Sequence, residues 1–259
     1  MTTDNTHGFR KAVTIFIDIL GSQDRENFDE WYKIMRIFAD TITREKSYDA
    51  AHPHTVYKRE IHVFSDCAYI IYDYKLGIEE CRKNDNELMC IACYNTEKVL
   101  SEFLRNGFLI RGSLTFDDIY YDPDHNIWFG PAMNRSYYLE SKVAKYPRVI
   151  IDPRFADRLA EYNNKKYGSC EINGSILKKD EDGLYYIHYL NSYQLGFNRI
   201  ENLDLEDNVL SLCRAELLKN RVTPELQKSI NEKYEWLKKY ILDSRPYDDL
   251  FIEFGNESN

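Results

Sequence analysis

The sequence predicts an α+β protein of ferredoxin-like type, a βαββαβ sandwich with a further C-terminal hairpin and helices. Three observations carry that expectation. An apolar run over residues 12–20 has the composition of a strand buried on both faces, and a helical pattern follows it. Residues 60–74, "EIHVFSDCAYIIYDY", form a nearly continuous apolar run broken at Ser65-Asp66, which predicts two strands in a tight hairpin. A second helical pattern and another strand then complete the order.

The first strand ends in "FIDILGS", where Gly21-Ser22 makes a turn. A helix is expected from Asp24 to Thr43, with Phe28, Trp31, Ile34, Met35, Phe38 and Ile42 at helical spacing. Residues 44–60 read as a polar loop in which His52 and His54 are solvated. The second helix covers 86–105. The strand "GFLIRGSLTFDDIYYD" follows, its apolar run broken by Arg111-Gly112, and then a turn at "DPDHN". "FGPAMNRSYYLESKVA" opens a third helix with Pro131 in its first turn, and "YPRVIID" is a strand. Past about residue 170 the texture changes. A hairpin turns at Asp182-Gly183, and two amphipathic helices over 207–242 meet at Thr223-Pro224. The expected division is a core over 1–152 and an extension over 153–259 that packs on it or buttresses a dimer.

The chain has 259 residues, a formal net charge of -9 and no block dense in lysine or arginine, which argues against a long nucleic-acid partner. No apolar run approaches membrane-spanning length, and "MTTDNTHGFRK" lacks a signal-peptide core. Six cysteines lie in apolar or mixed elements. Cys90 and Cys93 form a lone CxxC within a helix, which reads as two core thiols rather than a zinc site. The expected compartment is reducing and cytoplasmic.

The chemistry centres on Asp18, a carboxylate in an apolar strand that needs a compensating partner. In a ferredoxin-like sheet the first strand neighbours the hairpin, so Asp18 and Asp66 reach one edge. Two such carboxylates repel unless a divalent cation lies between them, and magnesium or manganese suits oxygen ligands. The alternative is that Asp18 bonds backbone amides and Asp66 is a plain turn residue. The turn Leu20-Gly21-Ser22 leads into a helix and offers free amides to a phosphate.

"FIDILGS", "FSDCAYIIY", "IRGSL" and "FGPAMNRSYYLES" stand in the order and spacing of class III nucleotidyl cyclase catalytic domains, which residues 12–152 resemble. The resemblance implies that Asp18, Asp66 and the Ile19 carbonyl bind two Mg2+ or Mn2+ ions per active site. One ion would activate the ribose 3′-hydroxyl and the other would hold the triphosphate as pyrophosphate leaves. It implies that Asn134 orients the ribose, and that the enzyme is a head-to-tail homodimer with active sites at the interface. Where adenylyl and guanylyl cyclases carry an arginine, this chain has Tyr138, with Arg111 and Arg135 as candidate substitutes. Arg111 either serves an anion or pairs with a core carboxylate. At the adenine-reading positions stand His62 and Ile127.

These departures resemble bacterial pyrimidine cyclases of anti-phage (Pycsar) defence. The substrate so implied is UTP, or else CTP, with cyclic UMP or cyclic CMP activating a separate effector protein. His62, with Tyr69 and Tyr72, would seat the base. The other readings are a cyclase-fold binding protein without turnover, a purine cyclase with an altered pocket, and a nuclease or polymerase palm.

Overall fold

The computed structural model describes residues 8–22, 25–168, 175–197 and 200–246. Asp24, where the first helix was expected to start, and Cys170 lie outside the described residues. Strand β1 (Arg10–Ile19) is rich in β-branched residues and sits centrally, between β3 (Cys67–Tyr74) and β4 (Ile110–Asp122), antiparallel to both. Strand β2 (Tyr57–Phe64) joins β3 through Ser65-Asp66, where Ser65 takes the left-handed φ of 56°. The order β2-β3-β1-β4 is the ferredoxin-like half, as expected. The sheet then continues through β6 (Val149–Ile151), β8 (Tyr185–Ile187) and β7 (Leu177–Lys179), and β5 (Ile127–Phe129) pairs with the far end of β4. It is a mixed α/β fold with a central sheet flanked by helices.

Alternation along β1 divides the apolar contacts between two faces. Val13, Ile15, Ile17 and Ile19 enter the main core with Ile34 and Phe38 of α1 (Phe28–Ala51) and Leu88, Met89 and Phe103 of α2 (Asp85–Arg105). The same core takes in Leu159 of α4 (Ala156–Tyr167), Leu205 and Val209 of α6 (Leu205–Leu217), and Leu237 and Ile241 of α7 (Pro224–Leu242); α5 is the short turn Asn191–Gln194. On the opposite face Ala12 and Phe16 meet α3 (Pro131–Lys142) through Ala132 and Met133.

Two elements differ from expectation. Helix α1 runs on to Ala51, through residues read as loop, because its last turns are anchored. Glu45 and Asp49 grip Arg59 of β2, whose Nη2 lies 2.9 Å from Asp49 Oδ1. The buried stripe of α1 is Ile34, Ile37, Phe38 and Thr41, while Phe28 and Met35 face outward. Helix α4 was not anticipated, since Ala156, Leu159 and Ala160 are too few to make a clear period.

The C-terminal elements are tied down by Arg148, which is fully buried. Its guanidinium pairs with Asp180 and Asp182 of the β7–β8 turn and lies against the rings of Tyr146, Tyr186 and Trp236. Gly112 of β4 lies close against β1: a Cβ there would run into the Phe16 carbonyl oxygen. Gly112→Ala is expected to destabilise the fold by about 1–3 kcal/mol, read as a lower urea midpoint at unchanged slope.

Candidate active site

The end of β1 builds the site. Asp18 pairs across the sheet with Cys67 on one side and Arg111 on the other. The Ile19 amide donates to the Asp66 carbonyl at 3.1 Å, and the Leu20 amide to the Leu109 carbonyl at 2.9 Å, so the chain stays in register as it leaves the sheet. Gly21 then turns with φ of 73°, a conformation that side chains other than glycine adopt at a cost. Ser22 comes round to donate its hydroxyl to the Asp66 carboxylate. Asp18, Ile19, Leu20, Gly21, Ser22 and Asp66 thus share one edge of the sheet.

The carboxylate oxygens of Asp18 and Asp66 and the Cys67 sulfur lie within 4.8 Å of one another. Burial pushes the Asp18 carboxyl up to about 6, and the negative charges of Glu140 and Asp66 add to this, against Arg111. Glu140, on α3 and 2% exposed, is itself pushed up by burial. Three carboxylates therefore face a single guanidinium. That imbalance is what a divalent cation would correct.

The donor set fits a hard ion. Cys67 donates its thiol to the Phe64 carbonyl at 3.3 Å, and burial pushes it up to about 12, so it stays protonated and offers no thiolate. The ligands that remain are oxygens, which magnesium, manganese and calcium prefer to zinc's sulfur and nitrogen set.

The other sequence-derived candidates are distributed differently. Arg111 donates from Nε to Glu140 at 2.6 Å, so of its two sequence readings the structure shows the pairing with a core carboxylate. Arg135 grips the buried Asp152 with two bonds of 3.0 Å, and Arg154 and Thr115 share that carboxylate. Asn134 is exposed on α3, with no side-chain hydrogen bond to any described residue. Tyr138, 51% exposed, lies one turn on, with the Arg135 guanidinium 5.8 Å from its ring. His62 stacks on Trp128 of β5 at 4.9 Å, and Tyr69 packs on Phe16. Tyr72 is buried in the main core on the other face, which removes it from any base-seating group.

Glu140 and Cys67 are members of the site that the sequence reading does not single out. Glu140 had a signal: it falls one helical turn after the buried Ser136, on the inward face of α3.

No protein-family model and no curated protein matches the chain. Solved structures do resemble it. The monomeric guanylyl cyclase domain of the RhoGC fusion protein from the aquatic fungus Blastocladiella emersonii is 13% identical, with a TM-score of 0.44, covering 70% of this chain and 97% of that one. The guanylate cyclase domain of RhGC from Catenaria anguillulae, in complex with GTP, is 15% identical, with a TM-score of 0.38, covering 68% and 95%. A bacterial light-regulated adenylyl cyclase is 15% identical, with a TM-score of 0.36, covering 57% and 44%. The likeness is one of fold, that of class III nucleotidyl cyclase catalytic domains.

The expectation of a pyrimidine substrate is overturned. The solved structures that share this fold are guanylyl and adenylyl cyclases. That expectation rested on residues the chain lacks, and a missing purine reader is not a pyrimidine reader. Cyclic UMP or CMP, the defence role and the effector rested on the same step and fall with it. Among the described residues no helix is long and apolar enough to cross a membrane.

The charge imbalance makes a specific prediction. Asp18→Asn is expected to raise the melting temperature of metal-free protein by relieving repulsion, while removing the stabilisation that Mn2+ gives the unaltered chain. Differential scanning fluorimetry with and without Mn2+ reads both effects.

Proposed function

We propose that the chain is a divalent-metal-dependent nucleotidyl cyclase that converts a purine nucleoside triphosphate to its 3′,5′-cyclic monophosphate and pyrophosphate. The observation that carries this reading is the Asp18–Asp66 pair, held at one sheet edge beside the Gly21-Ser22 turn. The purine is taken over from the guanylyl and adenylyl cyclases that share the fold; the carboxylate pair is indifferent to the base.

Asp18, Asp66 and the Ile19 carbonyl would hold two Mg2+ or Mn2+ ions. Bound there, such ions supply Lewis-acid stabilisation of the charge that develops between the ribose oxygen and the phosphates. The rest is done by the chain. The Ser22 hydroxyl fixes the Asp66 carboxylate, and the Ile19–Asp66 bond fixes the distance between the two turns. The Gly21 and Ser22 amides of the turn would face the phosphates, the Leu20 amide being taken by the Leu109 carbonyl.

Asn134, exposed on α3, would orient the ribose bound at the carboxylates of a second copy, in a homodimer with its sites at the interface. The exposure of Tyr137 and Tyr138 on the same helix supports that surface role. Arg135, already engaged by Asp152, is assigned to structure rather than to phosphate. Arg135→Ala is expected to lower the melting temperature while leaving turnover per folded enzyme unchanged.

One observation favours a second reading, a nucleotide-binding protein without turnover. Tyr138 stands where the resembled family has arginine, and Arg135 is committed elsewhere. A single assay separates the two readings. Purified protein is incubated with Mn2+ and each of the four nucleoside triphosphates, with Asp66→Ala as control, and products are identified by mass spectrometry. A cyclic purine nucleotide that disappears in the variant, at unchanged oligomeric size, is the expected result. Metal-dependent binding of a purine triphosphate with no product establishes the binding protein instead. A product from another triphosphate overturns the purine assignment.

A further inference from the structure

A cavity of 690 Å³ opens beside the same turn and is bounded on its far side by the C-terminal helices. Leu20, Gly21 and Leu109 form its wall at the sheet end. Four cations line it: Arg25 from the loop before α1, Lys219 and Arg221 from the segment between α6 and α7, and Lys233 from α7. Three carboxylates, Glu26, Glu30 and Glu216, line it too. In a chain of net charge -9, this concavity leans the other way.

The four cations are not equivalent. Arg25 pairs with Glu30 at 2.6 Å. Lys219 and Arg221 share Glu216, with Arg221 at 2.5 Å. Lys233 has no carboxylate partner among the described residues. It is half-buried, and the charge that acts on it is another cation, Arg111, which with burial pushes the amine down. Arg111 is also the strand residue opposite Asp18. Lys233 is therefore a partly desolvated ammonium on the wall of a cavity that also contains Gly21, in the turn that follows the Asp18 strand. A lysine in that setting is costly unless an anion joins it.

The geometry points to this cavity as the seat of the substrate's phosphate chain, with Lys233 of the C-terminal helix as its counter-charge. This deepens the cyclase reading and rests on it. It gives the C-terminal third a part in the site. The cation that the resembled family draws from the third helix, where this chain has Tyr138, is provided here from a different element. The phosphates would lie between the Gly21-Ser22 amides and α7, beside the turn that follows Asp18. Glu216 and Glu30 hold the other cations at the rim, where they steer the anion without being left bare in its absence.

Inorganic tripolyphosphate is the probe that tests the cavity apart from the chemistry. Full-length, metal-free protein is titrated with it calorimetrically, and binding is expected to weaken as salt is raised. Lys233→Gln should weaken it on the order of tenfold, the worth of one charge-assisted bond, and Lys233→Arg should restore most of it. Lys239→Gln, on the same helix but paired with Glu181, should change nothing.

Absence of binding by the unaltered chain overturns the inference, and so does equal loss in the Lys233 and Lys239 variants. Tripolyphosphate that binds but does not compete with a purine triphosphate also overturns it, because the cavity would then be a separate anion site. Failure of the cyclase reading looks different. Tripolyphosphate binding persists in unaltered and Asp66→Ala protein alike, and depends on Lys233, while no triphosphate yields a cyclic product.

Discussion

The amide of Ile19 donates to the carbonyl of Asp66, and most of the site depends on that bond. β1 is paired with β4 along its whole length and with β3 from Val13 to Asp18, so its end cannot shift without breaking two ladders. The β2–β3 turn is short and carries its strain at Ser65. The bond closes these two rigid parts against each other and sets the spacing of the Asp18 and Asp66 carboxylates. Ser22 then orients one of them from the chain's own continuation. A site assembled this way is fixed before any ligand arrives, which is the condition for electrostatic preorganisation.

Preorganisation of like charges costs stability, and the surroundings show how that cost is limited. Glu140 neutralises Arg111 but adds a negative charge of its own beside Asp18. The local sum is negative at the Asp18–Asp66 pair, while the cavity beside Gly21 carries four cations against three carboxylates. The sheet end thus carries a gradient of charge. A phosphate chain with its counter-ions has the complementary gradient.

Asp18 and Asp66 were legible in the sequence because each sits at a strand end marked by local turn chemistry, Gly21-Ser22 in one case and Ser65-Asp66 in the other. Their proximity followed from the ferredoxin-like order, a short-range pattern with a long-range consequence. Arg111 shows where such reading stops. Its partner is settled by the phase of a helix 29 residues later, and nothing near "IRGSL" encodes that. Helix α4 was silent for another reason: it buries few apolar side chains, and its docking comes from Tyr162 and Asn163 bonding to Asn84, Glu87 and Tyr94. Base preference was misread because it was inferred from absent residues. Lys233 was overlooked because its helix reads as an ordinary amphipathic stretch.

The buried Arg148 has a consequence for how the polypeptide can be divided. Its guanidinium sits on the core side, while its two carboxylates come from the β7–β8 turn. A chain ending near 152 would keep the cation and lose both anions. It would also leave β6 as a bare sheet margin, with β4 on one side of Val149, Ile150 and Ile151 and no strand on the other. Such a margin invites pairing with other chains. The C-terminal elements thus act as a cover against edge-to-edge association, and the motif-bearing segment cannot be treated as a self-sufficient module.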